Sequence, residues 1–175
     1  MRIGITGVPG TGKSTLAKMV AEEHGLELVD ISAMVNKKNL WTVIDPSDDA
    51  KIVNLIALAR ELKNLPEKCV IESHLLCEME LPLDKLIVLR TPLKALEKRL
   101  EAREYNDTKI RSNLYSELLD YCTHKSMRKY RETRTEIYEV LTRGDATDSL
   151  EEIKRIVKGD AVHLQAPWVD ISGEE

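Results

Sequence analysis

The segment Gly7-Val8-Pro9-Gly10-Thr11-Gly12-Lys13-Ser14 constrains this chain more than any other stretch, because it matches G-x-x-x-x-G-K-[ST] at every position. A loop whose successive backbone N–H groups turn inward needs glycines for its unusual φ and ψ angles, and it ends at a helix N-terminus that attracts anions. In such a loop the lysine contacts nucleotide phosphates and the serine hydroxyl is a ligand of Mg²⁺. We therefore predict phosphate contacts by Lys13 and a metal contact by Ser14.

The residues on either side of this loop favour the same interpretation. Arg2 to Thr6 has the apolar alternation of a short strand, and Lys13 to His24 has apolar residues at helical spacing before Gly25. Strand, glycine loop and helix is the order that a phosphate-binding loop requires. A glycine-rich loop without a ligand is the alternative, but such a loop has no need of a lysine followed by a serine.

Composition indicates one globular domain. The chain has 175 residues, of which 42% are hydrophobic and 32% charged, and its net charge of −4 gives no general attraction to nucleic acid. Phe is absent, and only two Trp and five Tyr are present, which argues against a base-stacking platform. The three cysteines lack C-x-x-C spacing and indicate neither a disulfide framework nor a zinc site. No apolar run reaches the length of a membrane span, so we expect a cytoplasmic protein without membrane contact.

The apolar runs predict a parallel sheet. Further strands are expected at Leu26 to Val29, Cys69 to Ile71, Leu86 to Leu89 and Ile137 to Leu141. Strands that alternate with helices predict an α/β fold, a three-layer P-loop NTPase sandwich with about five parallel strands and helices on both faces. We expect one domain over residues 1–158, followed by a C-terminal tail at residues 159–175. Ser149 and Glu152 predict a capping box at the start of the last helix.

Residues 30–46 form a polar stretch that we expect to be irregular. A helix capped by Ser47, with Asp48 and Asp49 in its first turn, is expected to follow. Its buried face is expected to comprise Ile52, Leu55, Ile56, Ala59 and Leu62. A segment of this size between strands exceeds the usual crossover, and in phosphotransferases such an insertion often closes over the acceptor.

Glu72 and His74 follow the predicted strand at Cys69 to Ile71, at the sheet edge where open α/β folds bind ligands. A carboxylate there can hold Mg²⁺ through water, and an imidazole can orient a water molecule or a phosphate oxygen. The alternative is a rim charge at Glu72 and an ordinary loop residue at His74.

Arg103 and a later basic stretch are further candidates. Arg103 lies where one helix breaks before the next, a position from which a closing lid brings an arginine to the transferred phosphate; a solvated arginine is the alternative. From Asp107 one long helix is predicted, and its C-terminal part is basic, with Lys125, Arg128, Lys129, Arg131 and Arg134. The stretch from Lys125 to Arg134 fits either RNA phosphates or a solvated face.

Taken together, these residues resemble adenylate kinase isoenzyme 6, the CINAP-like family of small P-loop proteins, and its archaeal-type members in particular. The segments that carry the resemblance are the glycine loop through Thr15, Glu72-Ser73-His74, Val88 to Thr91, Arg99 to Asn106, and Lys109 with Asn113. Val169-Asp170 is similar to that family's closing Val-Asp-Trp segment. The resemblance covers nearly the whole chain.

The resemblance implies a broad-specificity nucleoside monophosphate kinase with ATPase activity that acts with a ribosomal protein in maturation of the small ribosomal subunit. It implies ATP contacts at Gly10, Thr11, Gly12, Lys13, Ser14, Thr15 and Arg103. It also implies an acceptor-nucleotide region at residues 30–46, a short lid at residues 102–112 and a water-handling role for His74. The chain departs from the family at Glu72, where Asp is usual, and in the basic character of the helix after Tyr121.

We therefore predict Mg²⁺-dependent transfer of the γ-phosphoryl group of ATP to a nucleoside monophosphate, with AMP preferred. Lys13, His74 and Arg103 are the predicted catalytic residues, and Ser14 and Glu72 are the predicted metal ligands. Two other functions stay open. One is an ATP-driven ribosome assembly switch with incidental kinase activity, and the other is a kinase for a non-nucleotide metabolite such as shikimate.

Overall fold

A computed structural model describes residues 1–46 and 51–160, and its main feature is a parallel sheet with helices on both faces. The strands are β1 (Arg2–Thr6), β2 (Glu27–Asp30), β3 (Trp41–Ile44), β4 (Lys51–Val53), β5 (Cys69–Glu72), β6 (Lys85–Arg90) and β7 (Glu136–Leu141). The helices are α1 (Lys13–His24), α2 (Ile31–Lys37), α3 (Leu55–Glu61), α4 (Leu93–Glu101), α5 (Asp107–Leu118), α6 (Tyr121–Lys129) and α7 (Ala146–Lys158). Short 3-10 helices span Leu62–Asn64 and His74–Cys77.

The main sheet has the order β2-β5-β1-β6-β7, and every neighbouring pair in it is parallel. In its register Ile5 of β1 lies between Glu72 of β5 and Ile87 of β6. The carboxyl ends of these strands therefore meet at one edge, from which the glycine loop also emerges. The predicted five-stranded α/β fold is confirmed.

The continuous apolar runs reflect burial of the sheet on both faces. Val70 packs with α1 and α7 on one face, whereas Cys69 and Ile71 pack with α2 and α3 on the other. All three side chains are fully buried. Because alternate residues of a strand point to opposite faces, a strand that is covered on both sides needs apolar residues at every position.

Residues 30–46 are not irregular, contrary to the sequence prediction. Asp30 ends β2 and caps α2, since its carboxylate accepts a 2.8 Å hydrogen bond from the backbone N–H of Ala33. β3 then pairs in antiparallel fashion with β4 in a separate hairpin. The apolar periodicity of α2 is too weak to predict the helix, because Ile31 and Val35 are its only buried residues.

The helix expected after Pro46 begins later than predicted. Ser47, Asp48 and Asp49 lie outside the described residues. α3 begins at Leu55, where the Asn54 side chain accepts a 3.0 Å hydrogen bond from the backbone N–H of Ala57. The expected buried face is wrong for four of its five residues, because Leu58 and Leu62 are buried while Ile52, Leu55, Ile56 and Ala59 are exposed.

The long helix predicted from Asp107 is two helices, α5 and α6. They are separated at Asp120, which has a φ of 50°. The basic residues therefore belong to α6 and to the turn that follows it. The sequence pattern missed the break because Leu114, Leu118 and Cys122 keep a helical spacing across it.

The start of α7 also differs from its prediction. Asp145 is its N-cap and accepts a 3.1 Å hydrogen bond from the backbone N–H of Thr147. Ser149 is instead buried and donates to the carbonyl oxygen of Leu141 at 3.3 Å. Of the predicted tail, residues 161–175 with Val169 and Asp170 lie outside the described residues, so the domain boundary stays a prediction. In the part of the chain that is described, no helix has the length and apolar character needed to cross a bilayer.

Candidate active site

The loop between β1 and α1 has the backbone that its glycines permit. Gly7, Gly10 and Gly12 have φ angles of 139°, 94° and 92°, a region that residues with a Cβ rarely adopt. At Gly7 space is a second constraint, because a Cβ there would lie 2.6 Å from the carbonyl oxygen of Leu89. Gly12 is the N-cap of α1 and contributes no side-chain cap. The loop therefore ends at a helix N-terminus, where backbone N–H groups attract anions.

Lys13 is half-buried at the start of α1 and reaches back across the loop. Its Nζ donates a 3.0 Å hydrogen bond to the carbonyl oxygen of Val8. Burial lowers the pKa of this ammonium, the Glu72 carboxylate opposes that shift, and Arg103 adds to it. A partly desolvated cation of this kind is stabilised by any anion that binds at the loop.

Thr11 and Thr15 differ in what they face. Thr11 is fully buried and its Oγ1 donates to the carbonyl oxygen of Val8 at 2.9 Å, so its side chain supports the loop from inside. Thr15 is exposed on the first turn of α1 and lines a cavity. Both residues line that cavity, but Thr15 is exposed there whereas Thr11 is fully buried.

Ser14 and Glu72 meet at the edge of the sheet. The Ser14 hydroxyl donates a 2.5 Å hydrogen bond to Oε1 of Glu72. The other oxygen, Oε2, is buried and has no hydrogen-bond partner among the described residues. A carboxylate with a spare oxygen beside a hydroxyl is the type of ligand set that Mg²⁺ takes, since this ion binds one or two protein oxygens and completes its shell with water and phosphate. The residues present fit the ion.

His74 begins the 3-10 helix that follows β5, and its exposed side chain lines a cleft beside the glycine loop. Its carbonyl oxygen accepts a 3.5 Å hydrogen bond from the Thr6 hydroxyl, which fixes its backbone beside the glycine loop. Partial desolvation in the cleft, together with the Lys13 ammonium, lowers the pKa of His74. The imidazole is therefore neutral at pH 7 and able to accept a proton.

Two cavities meet at the glycine loop. One of about 450 Å³ lies between the loop, the end of α4 and the segment before α7. The other, of about 760 Å³, is the cleft, and it lies between the loop, α2, the β3–β4 hairpin, the end of β5 and α5. Gly10, Gly12 and Arg103 line both cavities. Arg103 is exposed in the turn between α4 and α5, so its guanidinium borders the junction of the two spaces.

Two cavity residues beside the loop were missed from the sequence. The Thr142 hydroxyl, after β7, donates to the carbonyl oxygen of Thr11 at 3.1 Å, and it lies 2.6 Å from the Thr91 hydroxyl. The Arg99 guanidinium donates to the Gly10 and Thr142 carbonyl oxygens at 3.4 and 3.3 Å. These bonds fasten the loop to β6, α4 and the end of β7. A lone threonine after a strand gives no sequence signal for this role.

The larger cavity also includes residues beyond the predicted acceptor region. Lys51 of β4 donates a 2.5 Å hydrogen bond to Oδ1 of Asn36, and both residues line the cavity. From the opposite side, Asn113 of α5 lines the cavity and donates to the carbonyl oxygen of Lys109 at 2.7 Å. Lys51 was missed because the hairpin that brings it to the cleft was not predicted.

A buried ionic cluster holds α5 and α6 against the sheet. The Arg90 guanidinium, 2% exposed, donates to Glu117 at 3.0 Å and to Glu139 at 2.8 Å, and it also bonds Asp120. Glu117 in addition accepts a 2.8 Å hydrogen bond from the backbone N–H of Thr91. The cluster fixes the wall of the cleft that carries Asn113.

The fold and the loop define a P-loop protein, and solved structures of small kinases share this fold. A shikimate kinase from Bacteroides thetaiotaomicron is 17% identical with a TM-score of 0.59, over 90% of this chain and 98% of that one. A shikimate kinase from Aquifex aeolicus is 18% identical with a TM-score of 0.58, over 93% and 99%. At such identities the likeness shows the fold alone.

Sequence comparison identifies the family. The AAA domain family model matches residues 3–120. A Methanocaldococcus jannaschii protein named "Putative adenylate kinase" is 32% identical over 90% of this chain and 86% of its own length. The "Adenylate kinase isoenzyme 6 homolog" of Dictyostelium discoideum is 35% identical over 73% of this chain and 75% of its own. The chain belongs to this adenylate kinase family of P-loop enzymes, as its resemblance predicted.

Proposed function

We propose that the protein transfers the γ-phosphoryl group of ATP to a nucleoside monophosphate, with AMP preferred. The observation that carries the proposal is the junction of the two cavities at the glycine loop and Arg103. A phosphotransferase must hold a donor and an acceptor on opposite sides of the transferred group, in line and shielded from water. Two spaces that share one anion-binding loop meet that requirement.

The donor belongs in the smaller cavity and the acceptor in the larger one. The smaller cavity lies beside Thr15 and the segment before α7, so an ATP whose phosphates rest on the loop has room there for its base and sugar. The larger cavity is bounded by α2 and the β3–β4 hairpin, the insertion between β2 and β5. Lys51 and Asn113 offer hydrogen-bond donors to a monophosphate in it.

Two cations and a metal site would neutralise the negative charge of the phosphates. Lys13 at the start of α1 and Arg103 at the cavity junction would neutralise negative charge on the transferred group and the leaving oxygens. Ser14 and Glu72 would hold Mg²⁺, which supplies charge neutralisation and orients the phosphates when it is bound. No covalent bond between protein and phosphate is required.

His74 would orient water or a phosphate oxygen at the end of β5. As a neutral imidazole in the cleft it can accept a proton from a water molecule, which would give slow hydrolysis of ATP when no acceptor is bound. An acceptor nucleotide in the larger cavity would displace that water. Kinase and ATPase activities would then share one site.

A product assay tests the proposal. Purified protein is incubated with Mg²⁺ and ATP, with and without AMP, and ADP and free phosphate are quantified by chromatography. We expect ADP formation to increase strongly with AMP while free phosphate stays low, and Lys13→Ala to abolish both. Phosphate release that is indifferent to AMP would contradict the kinase proposal. Parallel reactions with the other monophosphates and with shikimate determine the acceptor class.

A second candidate function, an ATP-driven switch in small ribosomal subunit assembly, draws on the basic surface of α6 and of the turn that follows it. Arg128, Lys129, Arg131 and Arg134 are exposed, whereas Lys125 lies 3.7 Å from the Glu78 carboxylate. Four exposed cations suit RNA phosphates or an acidic face of a ribosomal protein. Binding to purified small ribosomal subunits that differs between the ATP and ADP states would favour the switch. Equal or absent binding in both nucleotide states would argue against it.

A further inference from the structure

Two of the three cysteines face each other inside the cleft. Cys77 ends the 3-10 helix after β5, and Cys122 is the second residue of α6, 45 positions later in the sequence. Their Sγ atoms are 3.8 Å apart, and the two residues are 2% and 6% exposed. All three cysteines are free thiols in the structure. Sulfur atoms at this separation are in van der Waals contact with no residue between them.

The pair can be reached from the cleft although little of it is exposed. Cys77 and Cys122 both line the cavity of about 760 Å³, together with Lys13 and His74. Cys69 differs, because it lies in the core on the face with α2 and α3 and its thiol bonds the carbonyl oxygen of Pro66 at 3.3 Å. A small oxidant in the cleft would therefore meet the pair and not Cys69.

The two thiols are chemically unequal. The hydrogen bond with Cys122 lowers the pKa of Cys77, and the same bond, with burial, raises the pKa of Cys122. The Cys77 thiol also donates a 3.1 Å hydrogen bond to the carbonyl oxygen of His74. Since the thiolate is the form that reacts with peroxides, Cys77 is the more reactive member of the pair.

We propose that Cys77 and Cys122 form a redox site in which hydrogen peroxide closes a disulfide bond and thereby lowers the turnover of the enzyme. The Cys77 thiolate attacks one peroxide oxygen, the O–O bond breaks, and the released hydroxide takes up a proton to become water. The Cys122 sulfur then attacks the sulfenic sulfur of Cys77. The S–O bond breaks and the oxygen leaves as a second water, taking the Cys122 proton. Two thiols are oxidised and one peroxide is reduced.

The bond would change the cleft because of what surrounds it. An S–S bond is about 2.05 Å long, so the sulfurs must approach from 3.8 Å. Both cysteines belong to the same buried cluster as Val8, whose carbonyl oxygen accepts hydrogen bonds from Lys13 and Thr11. The bond would also cross-link α6 to the 3-10 helix that begins at His74, two elements that already meet where the Tyr121 hydroxyl bonds Glu78. A covalent link between them would limit the movement that closure over a substrate requires.

The primary test is chemical and needs no nucleotide. The protein is treated with hydrogen peroxide, remaining thiols are alkylated under denaturing conditions, and peptides are mapped by mass spectrometry without reduction. We expect one intramolecular link between the Cys77 and Cys122 peptides, with Cys69 alkylated. Cys77→Ser, Cys122→Ser and Cys122→Ala should lack the link, and the matched variant Cys69→Ser should keep it. Links that involve Cys69, links between molecules, or both thiols left free would overturn the proposal.

The second test concerns turnover and rests on the proposed kinase activity. Peroxide should lower the turnover of the wild type and of Cys69→Ser several-fold, and dithiothreitol should restore it. Peroxide should leave the turnover of Cys122→Ala equal to that of an untreated sample of the same variant. The regulatory part of the proposal would be overturned if an oxidised protein that carries the mapped bond turned over as fast as the protein with free thiols. Failure of the kinase proposal would leave the peptide map unaffected, so the two failures are distinguishable.

Discussion

Ser14 at the start of α1 and Glu72 at the end of β5 are joined by a 2.5 Å hydrogen bond, although 58 positions separate them in the sequence. The bond uses Oε1 and leaves the buried Oε2 of Glu72 without a partner among the described residues. Two elements of the fold thus place a hydroxyl and a carboxylate side by side under the glycine loop. These two side chains would hold Mg²⁺, which would supply charge neutralisation to phosphates on the loop.

Glu72→Gln is expected to weaken the use of Mg²⁺. The amide can still accept the Ser14 hydrogen bond, but it lacks the charge that favours a divalent cation, and changes in residues that support a metal cost about 10- to 100-fold in affinity or activity. We expect the Mg²⁺ concentration for half-maximal turnover to increase by that order. Titration of ADP formation against Mg²⁺ measures it. Glu67→Gln, exposed at the opposite edge of the sheet, is the control, and an unchanged titration curve for Glu72→Gln would contradict the assignment.

Arg103→Ala should lower turnover far more than it weakens ATP binding. A cation at the cavity junction acts mainly on charge that develops in the transition state, and removal of one such group costs about 100-fold or more in rate. The measurement pairs the rate of ADP formation with the dissociation constant of ATP from calorimetry. Lys98→Ala, an exposed charge on α4 that lines neither cavity, is the matched control. Equal losses in rate and affinity would refute a transition-state role.

The proposed role of His74 gives a pH prediction. Its pKa is lowered from 6.5 by desolvation and by Lys13, so the imidazole keeps its neutral form down to a pH below 6.5 and loses it as the pH falls further. ATP hydrolysis without acceptor should therefore decrease on the acid side, at a pH below the ordinary histidine pKa. His74→Gln should hydrolyse ATP more slowly and lack that acidic decline, whereas His124→Gln on α6 should keep it. If His74→Gln showed the same decrease in ATP hydrolysis at acidic pH, another group would be responsible for that decrease.

The parts of the site that depend on local sequence were predictable. The glycine loop is specified by backbone conformation, since Gly7, Gly10 and Gly12 take φ values that few other residues tolerate. The buried strands are specified by unbroken apolar runs, which determine the order of elements and deliver Glu72 and His74 to the correct edge. Both signals are contained in a few consecutive residues.

The parts that depend on contacts between distant segments were not predictable. α5 ends at a break where Arg90 holds Glu117 and Asp120, and Arg90 comes from a strand that lies 27 and 30 positions earlier. The β3–β4 hairpin exposes Val43, Ile44 and Ile52 to 46–55%, so its strands lack the alternation of a half-buried sheet. The cleft residue Lys51 belongs to that hairpin and was therefore missed.

The buried cluster around Arg90 should be the most sensitive ionic site for stability. Arg90→Met removes the guanidinium that contacts Glu117, a carboxylate that is 2% exposed, and breaking a buried ion pair from one side costs about 3–5 kcal/mol. Lys38→Met is the matched control, because its ion pair with Glu61 is 47% and 37% exposed, and exposed pairs contribute below about 1 kcal/mol. Urea unfolding gives the free energy of unfolding for both variants.

The same variant has an expected pH dependence of stability. Burial raises the pKa of Glu117 and Arg90 opposes that shift, so the pKa in Arg90→Met should rise further above the value in the unfolded chain. The folded variant then binds more protons than the unfolded chain at mildly acidic pH, and its stability decreases as the pH rises through that range. The loss relative to wild type should be larger at pH 8 than at pH 5. A loss that is equal at both values would mean that Glu117 does not titrate between them and that lost packing of the Arg90 side chain accounts for the effect.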